Sequence, residues 1–389
     1  MKIREQFYFS LRLAWRQLSH ERGKLVAAAL GVMFATVLVF MQLGFWDSLD
    51  ESGASTVKKL QGHLFLTHKQ TEALWRTVQF ERTELFRTLG QPDVVSVVPL
   101  YIGQAPWKNP QTGIKRTLMV WGSDPAAAAL NLPEAVHYQA LLSQQDTVLF
   151  DELSRPEFGA VTALLQQGNF FTELNDRKVK TIGTIRLGTS FAADGNLILS
   201  DQNFLRIFPQ RRASQIDVGI VRLSPGADIA TVQKSLRALL NENINVFTYA
   251  EMVQVEADYW RNSAPIGFIF GFGAIMGLIV GMVIVYQILF TDISNHLREF
   301  ATMKAMGYSN SYLMFYVFGA SLILALVGFV PGAAVSVGLY EFAESVTFIP
   351  MPIPISKILN IFLMIVTMCC AAGLLAMRKI RSANPADMF

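Results

Sequence analysis

Few side chains in this chain stand in the types and spacing that chemistry requires. His63 and His68 are five residues apart, out of phase for one helix face, and no cysteine or carboxylate cluster joins them as metal ligands. A solvated loop accounts for the pair better than a metal centre. Asp151 and Glu152 beside Arg155 have the composition of an acid pair, but a surface salt bridge is the simpler expectation. The two cysteines, Cys369 and Cys370, are adjacent within an apolar run and read as small apolar side chains rather than redox partners. No Gly-x-Ser-x-Gly elbow, His-Glu-x-x-His pair or Walker A loop occurs. Neither a catalytic residue nor a metal site is therefore expected.

The glycines of "GFIFGFGAIMGLIVG", namely Gly267, Gly271, Gly273, Gly277 and Gly281, imitate a phosphate loop more closely. They lack the lysine, the preceding strand and the Gly-x-x-Gly spacing of such a loop, and they lie in the middle of a long apolar run. Glycines four residues apart instead leave a flat stripe that another helix can approach closely. The stripe fits packing against the chain's own helices or a homodimer seam; the sequence leaves both open.

The elements that position these residues follow from hydropathy. The chain has 389 residues, of which 52% are hydrophobic and only 16% charged, against about 25% charged in ordinary soluble domains. Charge-free runs extend from Leu25 to Trp46, Asn262 to Thr291, Ala305 to Tyr340 and Ile358 to Met377. Each can cross a hydrocarbon core of about 30 Å as a helix. Pro331-Gly332 in the third run suggests a kink or a broken end there. The first run is longer than the apolar core of a signal peptide and no cleavage site follows, so an uncleaved span is expected. A net charge of +3 is too small to argue for nucleic acid, and no dense basic run is present, so nucleic acid is not expected as a partner.

Orientation follows from the basic residues. Residues 1–24 carry Lys2, Arg4, Arg12, Arg16, Arg22 and Lys24; Arg298 and Lys304 lie between the second and third runs, and Arg378, Lys379 and Arg381 in the tail. The segment 341–356 carries only Glu341 and Glu344. The positive-inside rule then places both termini in the cytoplasm and the large segment between the first two runs outside. The expected fold is an α-helical membrane protein with four transmembrane helices and a large α+β periplasmic domain inserted between the first and second. Its parts are an amphipathic helix at 1–24 and spans at 25–46, 262–291, 311–340 and 358–377. The periplasmic domain covers 47–261, with a cytoplasmic segment at 292–310, a periplasmic loop at 341–357 and a tail at 378–389. Phe7, Leu11, Ala14 or Trp15, and Leu18 repeat at helical spacing among arginines, as in a helix lying on membrane lipid.

Within 47–261, "TEALWRTVQFERTELFRTLG" predicts a helix closed by Gly90, and "VVSVVPLY" a strand. Asn109 to Gly113 predict a turn into the next strand, with further strands near 147–150, 179–187, 196–199 and 216–223. Asp228 caps a helix carrying Ile229, Val232 and Leu236 on one face, and "INVFTY" follows as a strand. This order suggests α+β modules with ferredoxin-like character.

The stretch "HLREFATMKAMGYSNSYL" is the least expected. Phe300, Met303 and Met306 or Gly307 recur at helical spacing, with Arg298, Glu299, Thr302 and Lys304 supplying polar faces. Gly307 can end the helix and Ser309 or Ser311 can cap the next. From pattern alone this is an interfacial linker helix.

One span, a large outer domain and then three spans is the layout of the MacB/FtsX-type (type VII) ABC transporter permeases. "REFATMKAMGYS" and the tail "AMRKIRSANPADMF" resemble the cytoplasmic signatures of that family. "FATVLVFMQLGFWDSL", "VLFDELSRPEFG", "GTSFAADGNLILSDQNFLRIF", "YWRNSAPIGFIFGFG" and "VIVYQILFTDISNHLREFATMKAMGY" are similar to its DevC branch, known for glycolipid export. The resemblance implies an inner-membrane, homodimeric permease that is not itself an enzyme and binds no cofactor, with ATP and Mg on a separate ATP-binding subunit. It implies a membrane-fusion adaptor and a TolC-type outer-membrane channel as further partners, and a lipid, glycolipid or other amphiphile as cargo. It also implies that Leu297, Arg298, Glu299, Phe300, Met303, Lys304, Met306 and Gly307 form a coupling helix seated in the ATPase. An FtsX-like subunit activating an envelope hydrolase and a lipoprotein-extracting permease are the alternatives.

Overall fold

Long apolar runs give long helices here because a backbone in hydrocarbon must satisfy its own hydrogen bonds. The computed structural model describes residues 3–20, 22–168, 170–263, 265–306 and 310–382. They form two units, a helical bundle drawn from Met1–Asp47, Ile266–Val346 and Met351–Phe389, and a sheet domain of Ser48–Pro265 with Thr347–Pro350.

Among the described residues, four helices are long and apolar enough to cross a membrane: Arg22–Val57, Pro265–Asn295, Met314–Thr347 within Asn310–Thr347, and Ile355–Met377 within Ile355–Ser382. They are called the first to fourth spans below. A fifth helix, Ile3–His20, precedes them, and its Ala14 and Leu18 are buried in the bundle core while Trp15 is half exposed. Large apolar side chains also cover the outside of the bundle, among them Phe34, Phe268, Phe272, Val330 and Leu363, as suits contact with lipid. The third span runs as one helix through Pro331, without the expected break. Gly328 and Gly332 beside that proline face Val32 and Thr36 of the first span.

Among the described residues the sheet domain has eleven strands: β1 Leu64–His68, β2 Phe80–Glu81, β3 Val94–Lys108, β4 Lys115–Ser123, β5 Thr147–Asp151, β6 Phe170–Leu174, β7 Arg177–Ile185, β8 Asn196–Ser200, β9 Gln215–Ile216, β10 Val218–Leu223 and β11 Ile244–Thr248. Nine of them form one sheet in the order β11-β1-β10-β3-β4-β8-β5-β7-β6. The first four are all antiparallel and, with helices Arg82–Arg87 and Ile229–Leu239, make the βαβ–βαβ pattern of a ferredoxin-like lobe. The second lobe is an insertion between β3 and β10. Strand β3 serves both lobes, pairing with β10 through Leu100 and with β4 from Tyr101 onward. A contact between Trp107 and Leu174 joins β6 back to β3 and closes the second lobe on itself.

Local signals behave as expected in several places. Asp228 caps Ile229–Leu239 by accepting from the Ala230 N–H, and Thr248 with Glu251 forms a capping box for Tyr249–Asp258. The helix expected over residues 71–90 is much shorter. Only Arg82–Arg87 is α-helical, followed by a 3-10 turn at Thr88–Gly90. The residues before it are held instead by side chains: the Thr71 hydroxyl accepts from the Val78 N–H, Thr77 donates to Asp217, and the Glu256 carboxylate accepts from the Leu74 N–H. Strands β1, β2 and β6 have no counterpart in the expected list.

Candidate functional site

The linker between the second and third spans folds as a helix of its own, Leu297–Ala305. Residues 292–295, expected to begin this segment, are the last turn of the second span. The junction is fixed by a polar cluster inside the bundle. Asp292 is buried; His296 Nδ1 lies 3.0 Å from its backbone oxygen, and the Tyr316 hydroxyl lies 3.4 Å from its carboxylate. Tyr316 also donates to Gln17 Oε1 at 2.7 Å. The second span, the third span and the N-terminal helix therefore meet where the short helix starts. Asp292 escaped the sequence reading because in one dimension it is only the charge that ends an apolar run.

The expected coupling residues divide between two faces. Arg298, Glu299 and Met306 are exposed, as is Thr302 beside them. Leu297 is half-buried, and Met303 packs against the bundle core. Met303 is therefore turned towards its own bundle and is withdrawn from the exposed set. The side chains of Phe300 and Lys304, and Gly307 altogether, lie outside the described residues.

The glycine stripe of the second span is filled from within the chain. A Cβ on Gly271 would fall 2.2 Å from Trp46, on Gly273 2.5 Å from Gln42, and on Gly281 2.6 Å from both Ala35 Cβ and the Met368 sulfur. Gly277 meets Leu38 and Val39 at 3.3 and 3.5 Å, and Gly267 is buried. The first span thus lies against the second at van der Waals distance, which only glycine permits.

A second polar node lies at the other end of the bundle. Lys357 is buried, with Nζ 3.0 Å from Asp47 Oδ2 and 5.1 Å from the centre of the Tyr340 ring. The Tyr340 hydroxyl donates to the Phe40 carbonyl, so the first, third and fourth spans are tied together there. The sequence shows Lys357 only as a flanking charge.

The residues first considered for chemistry are structural. His63 Nδ1 accepts from the Leu223 N–H at 3.0 Å, and His68 Nδ1 from the Gln70 N–H at 3.1 Å. Among the described residues, no group of three or more His, Cys, Asp or Glu side chains could hold a metal. Cys369 and Cys370 are free thiols. Asp151 corrects the expectation of a surface salt bridge. It is fully buried, while Glu152 pairs with Arg186 and Arg155 with Asp194. Its carboxylate accepts from the N–H groups of Leu153, Leu187 and Gly188 and from Asn196 Nδ2. Burial raises its pKa, and these four donors oppose the rise.

Residues 271–385 match the family model described as FtsX-like permease C-terminal. The periplasmic region of MacB from Actinobacillus actinomycetemcomitans is similar over 50% of this chain and 92% of that one, at 14% identity and a TM-score of 0.36. The extracellular domain of the noncanonic ABC-type transporter YknZ from Gram-positive bacteria is similar over 48% of this chain and 99% of that one, at 12% identity and a TM-score of 0.35. No match was found among curated proteins.

Proposed function

We propose, from the match of residues 271–385 to the FtsX-like permease C-terminal model, that this chain is the membrane subunit of a MacB/DevC-like ABC exporter. An ATP-binding subunit drives it, and the helix Leu297–Ala305 is the surface on which that subunit acts. The observation that carries this reading is the combination at that helix. It presents exposed Arg298, Glu299 and Met306 on one side, while its root is tied through Asp292 and Tyr316 to two spans and the N-terminal helix. A push on such a helix is delivered to the bundle rather than absorbed by a loop. The clustering of Lys and Arg near this helix and both chain ends supports placing these parts in the cytoplasm and the sheet domain in the periplasm.

In this reading the permease works as a homodimer, and the sheet domain receives a membrane-fusion adaptor leading to a TolC-type channel. A lipid, glycolipid or similar amphiphile is the cargo class. Co-purification of the solubilised protein from its native membrane tests the assembly. An ATP-binding subunit and an adaptor are the expected companions; a peptidoglycan hydrolase without an adaptor would overturn the exporter reading.

The helix itself is tested by Glu299→Arg, which reverses an exposed charge without touching the bundle core. Recovery of the ATP-binding subunit is expected to fall about tenfold or more, as for loss of an interfacial charge contact. The circular dichroism of the sheet domain should not change. Normal assembly of Glu299→Arg with the ATPase would count against this helix as the coupling surface.

A further inference from the structure

Within the loop between β7 and β8, residues 187–195 are built unlike an ordinary surface connection. Leu187 and Gly188 donate their N–H groups to the buried Asp151 carboxylate at 3.0 and 2.8 Å. Asn196 Nδ2 bridges the same carboxylate and the Gly188 carbonyl at 2.9 and 2.8 Å. Asn196 Oδ1 is fixed in turn by the Trp121 indole N–H at 3.1 Å. Gly188 takes φ +97°, a conformation that L side chains rarely adopt, so the entry to the loop depends on glycine. Ser190 then closes a tight turn by accepting from the N–H groups of Ala192 and Ala193. A loop held this way transmits displacement instead of yielding to it.

Every segment of the sheet domain that continues into a span touches this loop. From the first span's helix, buried Ser52 accepts the Phe191 N–H at 3.0 Å. Just beyond that helix, Lys59 Nζ donates to the carbonyls of Arg186 and Leu187 at 2.5 and 2.8 Å. At the entry to the second span, the buried Trp260 ring lies 6.1 Å from the Phe191 ring, and Gly53 leaves room for its indole. From the connection between the third and fourth spans, the Phe348 carbonyl accepts the Thr189 hydroxyl at 2.7 Å. That connection, Thr347–Pro350, belongs to the sheet domain by its contacts, and the Ser48 hydroxyl donates to the Pro350 carbonyl at 3.2 Å. Phe348 has φ +59°, a strained setting for a phenylalanine that neighbouring contacts must maintain.

We propose that residues 187–195 are a mechanical junction that gathers the outward continuations of all four spans and passes their displacement to the sheet through Asp151 and Asn196. The ATP-driven part of this proposal rests on the export reading above; the gathering of the segments does not.

The test is hydrogen exchange on the full chain in lipid nanodiscs, comparing wild type with Thr189→Val, Phe191→Leu and the distant surface control Ser235→Ala. Thr189→Val keeps the shape of the side chain and removes the donor. It is expected to speed exchange of the 345–352 peptide about fivefold, the effect of one lost hydrogen bond, while β5 and β8 stay protected. Phe191→Leu is expected to do the same to the peptide containing Trp260. Unchanged exchange of both peptides overturns the junction.

In a second arm ATP is added to the permease with its ATP-binding subunit. The peptides covering 47–60, 187–195, 255–263 and 345–352 should respond together in wild type, and 345–352 should leave that shared response in Thr189→Val. A shared response that survives the substitution also overturns the junction. If no peptide of the wild type responds to ATP, the export reading fails, and the nucleotide-free comparison still decides the junction.

Discussion

Gly281→Val is expected to destabilise the membrane bundle by about 2–3 kcal/mol, the upper range for overpacking a closely packed core. A Cβ at this position falls 2.6 Å from Ala35 Cβ, and Ala35 has no flexible end that could swing away. The Met368 sulfur at the same distance can move only by vacating its own place in the bundle core. Valine adds two further methyl groups, so the first or the fourth span must be displaced from the second. Thermal unfolding in detergent, followed by loss of the monodisperse peak, should show a midpoint several degrees lower. Gly338→Val is the control, because nothing lies within 4 Å of its Cβ position. Equal melting of the two variants would remove the glycine stripe from the intrachain seam. Dissociation of a dimer with unchanged melting would move it to a seam between copies.

The second large effect is a dependence of stability on pH centred on Glu256. This carboxyl is buried near the C-terminal end of helix Tyr249–Asp258, and burial pushes its pKa up from 4.5 to about 7. The N–H of Leu74 at 2.9 Å and the indole N–H of Trp260 at 3.3 Å oppose that rise without cancelling it. Because the folded pKa lies above the unfolded one, the contribution to stability is fully present below about pH 4.5 and is lost as pH rises through about 7. The difference corresponds to roughly 3 kcal/mol between the two limits. The emission of Trp260, in direct contact with the carboxyl, should report unfolding at lower temperature at pH 8 than at pH 5. Glu256→Gln should flatten that slope, since the neutral amide does not titrate. A slope that persists in Glu256→Gln would assign the effect to another group.

Glu256 also shows why part of the fold was hidden. Leu74, Val78 and Leu85 carry a helical repeat, and in isolation a helix over 71–90 is a sound expectation. In the folded chain the Leu74 N–H is committed to a carboxylate 182 residues away, and Thr77 to Asp217. These partners hold the first half of the segment open, so local periodicity loses to distant hydrogen bonds. Asp151 is the same case in reverse. Beside Glu152 and Arg155 it reads as a surface charge, but its donors lie up to 45 residues along the chain and arrive only when β7 and β8 close around it.

What the sequence determined by itself are the properties that a stretch of chain carries without neighbours. Charge-free length is one, and it is enough to define four helices able to span a bilayer. Capping by Asp228 and the turn from Asn109 to Gly113 are others, because their partners lie within a few residues. The amphipathic linker at 297–305 was legible for the same reason. Tertiary structure alone decided which partner fills the glycine stripe, that Met303 turns inward, and that Asp151, Glu256, Asp292 and Lys357 are buried at junctions. A charge can be buried only where other elements bring it donors or an opposite charge, and those elements come from remote parts of the chain.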